Sequence, residues 1–426
     1  MPRMLHGEVR PGVGADRWLG CILACVLALA VWGCSRPEPS EQAPPSESGV
    51  TDTEIRIGSS SALSGHASYL GTQTLRGAMA YINHVNQEGG VHGRTIRLVS
   101  YDDAYNPALC LINTQRLIVE HDVFCLFNYV GTPTTVKIIS VVEDADIPLV
   151  GMFTGANALR QPFNRHLINI RASYYQETME AVRRFVGGLG MKRVAVFYQY
   201  DAYGFDGLKG TELALREYGL VPVATGSYIR GTMDVEHGLE RIVAADAEAV
   251  FMIGTYDPCA EFIRQARARG FDPVFYCVSF VGAEELARRL DTDNGRKVFV
   301  TKVVPPPDSS MSRTLLWGAG EFVELFREYF PQEAPNSVAL EGYINAKVLV
   351  EGLRRAGRDL TRDKFIEAVE SIDHFSLGVA NTLDFGPNDH QGFDRVYFTR
   401  YNGGKFSLIT DWDPVRAELG LVSSAP

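Results

Sequence analysis

Ala249-Val250-Phe251-Met252-Ile253 is a short apolar run. It is followed by the polar loop Gly254-Thr255-Tyr256-Asp257-Pro258 and by a helical pattern over Cys259–Arg269. An uninterrupted apolar run bounded by Gly and Pro is typical of a strand buried on both faces. The same order of strand, loop and helix recurs between Glu54 and Val278. This alternation predicts parallel sheets covered by helices, which is an α/β fold.

The length of the chain indicates more than one core. It has 426 residues, whereas domains usually hold about 100–200 residues. One series of strand and helix patterns occupies 54–152 and a second occupies 174–278. We therefore expect two lobes, each a parallel sheet flanked by helices. Later patterns predict helices over Ser312–Tyr329, Ser337–Ala356 and Thr361–Ser371, and short strands over Thr382–Phe385, Arg395–Tyr401 and Lys405–Ile409.

The first 34 residues have the pattern of a secretory signal. Basic residues precede an uncharged run over Trp18–Gly33, which is short for a membrane span of about 20 residues. Val31-Trp32-Gly33-Cys34 resembles the lipobox of bacterial lipoproteins, in which the Cys is lipidated and becomes the mature N-terminus. An uncleaved anchor or cleavage elsewhere is the alternative.

Two further segments are expected outside the folded body. Residues 35–53 are rich in Pro, Ser and Glu and predict a disordered tether, and 416–426 form a C-terminal tail. An exported compartment permits disulfides, but the cysteine spacing is not that of a disulfide framework. We expect buried free thiols, with a Cys110–Cys125 bond as the alternative. The cysteines beyond the signal are Cys110, Cys125, Cys259 and Cys277.

Composition and motifs argue against several functions. The net charge of -10 and the lack of a Lys/Arg cluster disfavour nucleic-acid binding. No zinc-type Cys/His spacing, HExxH pair, Gly-x-Ser-x-Gly elbow or phosphate loop is present. We therefore expect no metal, no cofactor and no catalysis. The carboxylates of Asp102-Asp103 could serve in acid–base catalysis, but we prefer to interpret them as a turn at a strand end. An enzyme acting on a small amide or carboxylate is the less favoured alternative.

Polar loops follow six predicted strands, three in each lobe. Ligands of open parallel sheets bind beyond the carboxyl ends of the strands. Gly permits close backbone approach, hydroxyls supply hydrogen bonds, and rings cover apolar parts of a ligand. For any one loop, helix capping is the preferred explanation, so the shared position of the six loops is what favours binding. The candidate residues are Ser64, Tyr69, Tyr129, Gly131, Thr132, Thr154, Gly155, Tyr203, Tyr256, Asp257, Ser279 and Phe280.

Four motifs carry a family resemblance. They are Ile55–Gly58 with Leu63–Gly65, Asn83–Arg94 with Tyr101–Asp103, Leu189–Val196 with Tyr203-Gly204, and Phe262–Gly270. Together they resemble the type I periplasmic solute-binding proteins of the leucine/isoleucine/valine-binding family, which are receptors of branched-chain amino acid ABC transporters. The resemblance extends from Glu54 to Ile409, nearly the whole predicted body.

The resemblance implies a two-lobed fold with three hinge crossings, in which the lobes close around a ligand. The implied crossings lie near Ile170–Ser173, Thr301–Pro305 and Phe375–Thr382. Lobe one would then comprise 54–171 plus 303–376, and lobe two 172–302 plus 377–415.

The resemblance also implies roles for residues. Tyr69, Tyr203 and Tyr256 fall where the family covers its ligand with aromatic side chains. Gly131-Thr132 fall where members bind the carboxylate of an amino acid, and Thr154-Gly155 lie near the loop that holds both the carboxylate and the ammonium.

The implied partner of the ligand ammonium is missing. The family's acidic residue would fall near Ser279-Phe280, where no acid stands, and Asp257 is the nearest substitute at a different position. An unpaired buried ammonium is costly. An α-amino acid and a carboxylate, amide or aromatic acid without the ammonium therefore both stay open.

The sequence thus predicts a periplasmic, membrane-anchored lipoprotein that carries its lipid on Cys34. It is expected to deliver a small polar ligand to an ABC transporter permease. A ligand-sensing receptor domain of the same fold, signalling to a membrane partner, is the alternative.

Overall fold

The computed structural model describes residues 47–307, 317–379 and 382–421. The predicted signal, Cys34, most of the predicted tether and the end of the predicted tail lie outside these residues. Residues from Glu47 onward belong to one compact unit. Among the described residues, no helix combines the length and the apolar character needed to cross a membrane.

The strands are short, and most coincide with predicted ones. They are β1 (Glu54–Ser61), β2 (Thr95–Asp102), β3 (Cys125–Phe127), β4 (Leu149–Val150), β5 (Leu167–Ile168), β6 (Val194–Gln199), β7 (Ala224–Tyr228), β8 (Ala249–Ile253), β9 (Val274–Cys277), β10 (Val298–Lys302), β11 (Phe375–Ser376), β12 (Thr382–Leu383), β13 (Tyr397–Asn402) and β14 (Lys405–Leu408).

The helices alternate with the strands as far as β10. They are α1 (Ser68–Gln87), α2 (Pro107–Val119), α3 (Thr132–Lys137), α4 (Ile139–Asp144), α5 (Tyr174–Val182), α6 (Ala202–Arg216), α7 (Glu236–Ala244), α8 (Tyr256–Ala268), α9 (Ala283–Arg289), α10 (Thr292–Gly295), α11 (Trp317–Tyr329), α12 (Ser337–Ala356), α13 (Arg362–Glu370) and α14 (Asp413–Glu418).

Two large sheets organise most of these elements, and β11 pairs with β12 in a small antiparallel sheet. The first has five parallel strands in the order β2-β1-β3-β4-β5, and the second has seven in the order β14-β13-β10-β9-β8-β6-β7. In the second sheet β10, β9, β8, β6 and β7 are parallel, while β13 and β14 add an antiparallel edge. The predicted α/β class, with two parallel sheets flanked by helices, is confirmed.

Helix α12 returns to the first sheet and packs against α1. Most of its side chains are buried, and Gly342 faces the Thr74 carbonyl so closely that a Cβ would overlap it. This close approach explains a glycine in the middle of a long helix, where it is otherwise unfavourable. The helix predicted over Ser337–Ala356 is confirmed.

Two predicted helices differ in detail. The sequence pattern predicts one helix over Pro133–Ala145, whereas the structure interrupts it at Ile138, after β-branched residues that disfavour helix. The pattern predicts another helix over Tyr174–Leu189, which changes at Arg183 to a π-helix that ends at Gly188. Strand β5 is absent from the sequence prediction, because two paired residues give no periodic signal.

The segment between β11 and β13 packs with the first sheet's helices. Leu383 and Phe393 are buried in the same core as Ile57 and Phe365. The Phe393 N–H donates to the Ile170 carbonyl at 2.7 Å. This packing favours a third crossing after Phe393 instead of one at Phe375–Thr382, and the lobe boundaries remain a prediction.

The described end of the expected tether contacts the body. Val50 is buried, and the Arg56 N–H donates to the Gly49 carbonyl at 2.8 Å. The Gly49 N–H lies 3.3 Å from an Asp122 carboxylate oxygen. Residues 47–53 therefore differ from the disordered tether expected there, because Val50 supplies apolar surface that can be buried.

Candidate functional site

The carboxyl ends of the two sheets meet through their loops. Phe280, which follows β9 of the second sheet, contacts two rings of the first sheet. Its ring centroid lies 6.0 Å from that of Tyr105, after β2, and 5.7 Å from that of Phe153, after β4. We call the space between the loops that follow β1 to β4 and those that follow β6 to β9 the cleft.

Aromatic side chains from both sheets fill the middle of the cleft. The Phe280 centroid lies 4.8 Å from that of Tyr203, which lies 5.2 Å from that of Tyr174. At these separations rings are in direct contact. A solute therefore reaches this position only when the sheets separate or Phe280 turns away.

Two threonines form the polar part of the first sheet's contribution. The Thr132 and Thr154 hydroxyl oxygens lie 2.7 Å apart, and both side chains are buried. One hydroxyl donates to the other, which leaves the second proton free to donate elsewhere. Gly131 precedes this pair with φ of 96°, and a Cβ there would overlap the Tyr105 ring. The Gly155 carbonyl accepts from the Tyr174 N–H at 2.7 Å.

Tyr69 and Tyr256 meet edge to face across the cleft, with centroids 6.5 Å apart. The Tyr69 hydroxyl is buried and has no hydrogen-bond partner within residues 47–307, 317–379 and 382–421. The Arg289 guanidinium lies 4.4 Å from the Tyr256 ring centroid and pairs with the Asp257 carboxylate. The Asp257 carboxylate is therefore already neutralised by a cation of its own lobe.

Ser279 lies against a buried carboxylate that the sequence reasoning missed. The Glu177 side chain of α5 accepts from the Ser279 N–H and hydroxyl, both at 2.7 Å, and from the Thr301 hydroxyl at 2.6 Å. Burial raises the pKa of Glu177, while the nearby Arg171 guanidinium opposes this rise.

Arg171, in the first predicted crossing, contacts residues that follow or pack on different sheets. Its guanidinium hydrogen-bonds the Ser279 hydroxyl and lies 3.6 Å from Glu177 and 3.3 Å from Glu341 of α12. It also stacks over Phe153, 4.8 Å from the ring centroid. Burial raises the pKa of Glu341 to about 7. The Arg171 side chain is only 4% exposed, and its Nε has no acceptor.

A second polar group lies at the ends of β6 and β7. The Tyr228 hydroxyl donates to Gln199 at 2.9 Å, and Gln199 donates to Asp201 at 2.7 Å. Arg230 donates to the same Asp201 carboxylate at 3.0 Å and lies 5.7 Å from the Tyr105 ring centroid. These side chains hold the second-sheet loops in place beside the cleft.

Two predicted residues are not brought to the others. Ser64 is exposed, and its N–H donates to Asp102 at 3.2 Å. Tyr129 is buried, with its hydroxyl 3.0 Å from that of Thr114 on α2. Its side chain therefore points toward α2, whereas the next predicted residues of the same loop, Gly131 and Thr132, contact the Tyr105 ring and the Thr154 hydroxyl.

Several residues that border the cleft were not among the predicted site residues. Tyr105 follows the Asp102-Asp103 turn, which is not among the predicted ligand loops. Arg171 stands in a predicted crossing, and Glu177 lies inside a predicted helix. Tyr105 could have been predicted because it lies in a loop that follows a strand. No feature of the sequence indicates Glu177.

The cysteines and a possible metal group add no chemistry to the cleft. Cys110, Cys125, Cys259 and Cys277 are buried and free. Within the described ranges, the group that approaches metal-ligand spacing is the exposed Asp373, His374 and Asp384. The His374 Nδ1 lies 2.8 Å from Asp384, so an ion pair accounts for this arrangement.

A cavity of about 1260 Å³ lies outside the predicted site. It is bordered by the second crossing, by α9 and α11, and by the turn between β13 and β14. Its lining contains none of the predicted site residues. The residues that frame it include Glu284, Arg288, Lys302, Trp317 and Asn336.

Comparisons with known proteins agree with this architecture. The sequence profile described as periplasmic binding protein matches residues 54–405. Leu/Ile/Val-binding protein homolog 7 of Brucella abortus (strain 2308) is 26% identical over 368 residues, which cover 84% of this chain and 91% of that protein.

Solved structures share the fold over most of their length. A possible leucine/isoleucine/valine-binding protein from Rhodopirellula baltica SH 1 is 34% identical, with a TM-score of 0.78, and the match covers 86% of this chain and 98% of that one. A branched-chain amino acid ABC transporter protein from Thermus thermophilus with bound valine is 19% identical, with a TM-score of 0.76, over 85% of this chain and 97% of that one. This second likeness supports the fold alone. The chain therefore belongs to the periplasmic binding protein family, in its type I, leucine/isoleucine/valine-binding group.

Proposed function

We propose that the protein captures a small polar solute between its lobes and delivers it unaltered to an ABC transporter permease. The observation that carries the proposal is the contact of Phe280 with Tyr105, Phe153 and Tyr203. Loops from both sheets meet at one place, and the crossings between the sheets allow them to separate by hinge bending. Members of the family are substrate-binding proteins, which supports a role without catalysis.

The site chemistry supports a ligand that is polar at one end and apolar over its body. The Thr132–Thr154 hydroxyls offer hydrogen bonds, and the surrounding rings offer apolar contact. An amino acid, an amide or a related carboxylate has this character. The names of the Brucella, Rhodopirellula and Thermus proteins support branched-chain amino acids as the first compounds to test.

We place the protein in the periplasm, held to a membrane by a lipid on Cys34. This part of the proposal rests on the basic and apolar leader and on the lipobox-like Val31–Cys34. Labelling of cells with a radioactive fatty acid tests it. Label should enter the protein and should be lost from a Cys34→Ser variant, and equal labelling of both would contradict lipidation at Cys34.

A thermal-shift screen against amino acids, amides, short carboxylates and aromatic acids tests capture. A ligand at a hundredfold excess over Kd stabilises the native state by about 2.7 kcal/mol. Tyr256→Ala or Thr132→Ala should abolish the shift, which is measured from each variant's own ligand-free melting temperature because both side chains are buried. Unchanged binding in both variants would contradict the site.

Two further measurements separate the alternatives. Mass spectrometry of the ligand recovered after incubation should show the same compound, whereas a product would indicate an enzyme. Genes for a permease and an ATPase beside this gene favour transport, and a neighbouring kinase or receptor gene favours sensing.

A further inference from the structure

Four carboxylates that border the cleft already have partners. Each accepts from, or pairs with, donors of the protein itself, so a ligand ammonium would compete with those donors. These pairs are Glu177 with Ser279 and Thr301, Glu341 with Arg171, Asp201 with Arg230 and Gln199, and Asp257 with Arg289.

Hydrogen-bond donors at the same place lack partners. Among the described residues, the Arg171 Nε has no acceptor although the side chain is 4% exposed. The Thr132 and Thr154 hydroxyls bond each other, and the buried Tyr174 hydroxyl lies beside Thr154. These three hydroxyls leave at least one proton without an acceptor in the described part of the chain. Buried donors are normally satisfied, so an acceptor brought by a ligand would complete this group.

The rest of the cleft is apolar and ring-lined. Phe153, Tyr203 and Phe280 are at most 1% exposed, and they lie next to the unpartnered donors. Arg171 stacks over Phe153, and Tyr174 contacts Tyr203. A ligand held here thus places an acceptor on the donors and a flat or branched apolar body on the rings.

We propose that the ligand is a carboxylic acid with an aromatic or branched apolar body and no α-ammonium group. Its carboxylate accepts from Thr132 or Thr154, Tyr174 and Arg171, and its body packs against Phe280 and Tyr203. This inference rests on the proposed function, because it names the class of solute that the same cleft takes.

One carboxylate offers a rival position for an ammonium. Asp206, on α6, accepts from the Asn157 N–H at 2.9 Å through one oxygen, and its other oxygen has no partner. Glu284 also has an unpartnered oxygen, but its other oxygen pairs with the Lys302 ammonium at 2.8 Å. Asp206 is therefore the carboxylate to test.

Ligands that share one skeleton provide the sharpest test. Calorimetry with the purified full chain compares 3-phenylpropanoate with phenylalanine, and 4-methylpentanoate with leucine. In each pair the two compounds differ only in the α-ammonium group. At least one acid should bind tenfold or more tightly than its amino acid partner.

The outcomes separate this inference from the proposed function. If neither acid binds tenfold more tightly than its amino acid partner, the inference is overturned, and solute capture stands as long as one of the four compounds binds. Lack of binding by all four compounds would overturn the inference, and a further failure of the broader thermal-shift screen would overturn capture as well.

Substitutions at the proposed donors test where the ligand carboxylate binds. Thr154→Val and Tyr174→Phe should each weaken acid binding at least tenfold. Thr211→Val is the matched control, because this buried hydroxyl of α6 donates to the Gly207 carbonyl at 2.8 Å away from the proposed contacts. Asp206→Asn should leave acid binding unchanged. Loss of phenylalanine or leucine binding in Asp206→Asn, with their binding to Thr154→Val unaffected, would place an ammonium at Asp206 and contradict the inference.

Discussion

The two sheets contribute different chemistry to the cleft. Loops of the first sheet supply the paired hydroxyls of Thr132 and Thr154 as well as the Phe153 ring, whereas loops of the second supply mainly large rings such as Tyr256 and Phe280. Rings therefore come from both lobes, and the paired hydroxyls distinguish the first. We propose that recognition of polar groups rests more on the first lobe, and that rings of both lobes close over the solute.

Removing the central ring should have the largest effect. Phe280→Ala should lower the free energy of unfolding by about 3–5 kcal/mol, as for other buried Phe to Ala changes, and should also abolish the ligand-induced thermal shift. Phe275→Ala is the matched control, because Phe275 is equally buried in the preceding strand β9 and packs against Phe262.

The control distinguishes a loss of core packing from a loss of the contact that closes the lobes over the ligand. Phe275→Ala should lose similar stability in a denaturant titration and keep ligand binding. Retained binding in Phe280→Ala, or lost binding in Phe275→Ala, would contradict the assignment of closure to the Phe280 ring.

A substitution at Gly131, in a loop of the first sheet, should have an intermediate effect on the free energy of unfolding. Gly131→Ala should cost about 1–3 kcal/mol for the left-handed backbone, and overlap with the Tyr105 ring should add to this. Gly89→Ala controls for the backbone, because Gly89 has φ of 98° and a Cβ added there would meet no atom within 4 Å. Equal melting temperatures of the two variants would show that the Tyr105 contact does not constrain the loop.

Much of the fold could be predicted from the sequence, but less of the site could. Periodic apolar patterns predict α12 and β8 directly, because long or uninterrupted patterns leave few alternatives. Loop positions after strands indicate Thr132, Thr154 and Phe280. Arg171 and Glu177 could not be found this way, because their partners come from distant segments and only the tertiary fold brings them together.

The Arg171–Glu341 pair should show its effect as a pH dependence of stability. Burial raises the pKa of Glu341 from 4.5 to about 7. The native state therefore binds this proton more tightly than the unfolded chain does. The resulting stability is fully present below pH 4.5 and is lost as pH rises through about 7.

Glu341→Gln removes this titration. Unfolding by denaturant at pH 5 and pH 8 should show a smaller loss of stability in the variant than in the original protein. Glu367→Gln, an exposed carboxylate of α13, should keep the original pH dependence. The same pH dependence in all three proteins would remove Glu341 as a pH-sensitive link between the lobes.

Hydrogen–deuterium exchange with and without a bound ligand tests the central claim most directly. Enclosure of the solute between the two sheets predicts slower amide exchange in both sets of loops, at Gly131–Thr135 and Thr154–Ala156 on one side and at Gly254–Tyr256 and Ser279–Gly282 on the other. Protection confined to the loops of one sheet, with binding verified by calorimetry, would contradict capture between the lobes.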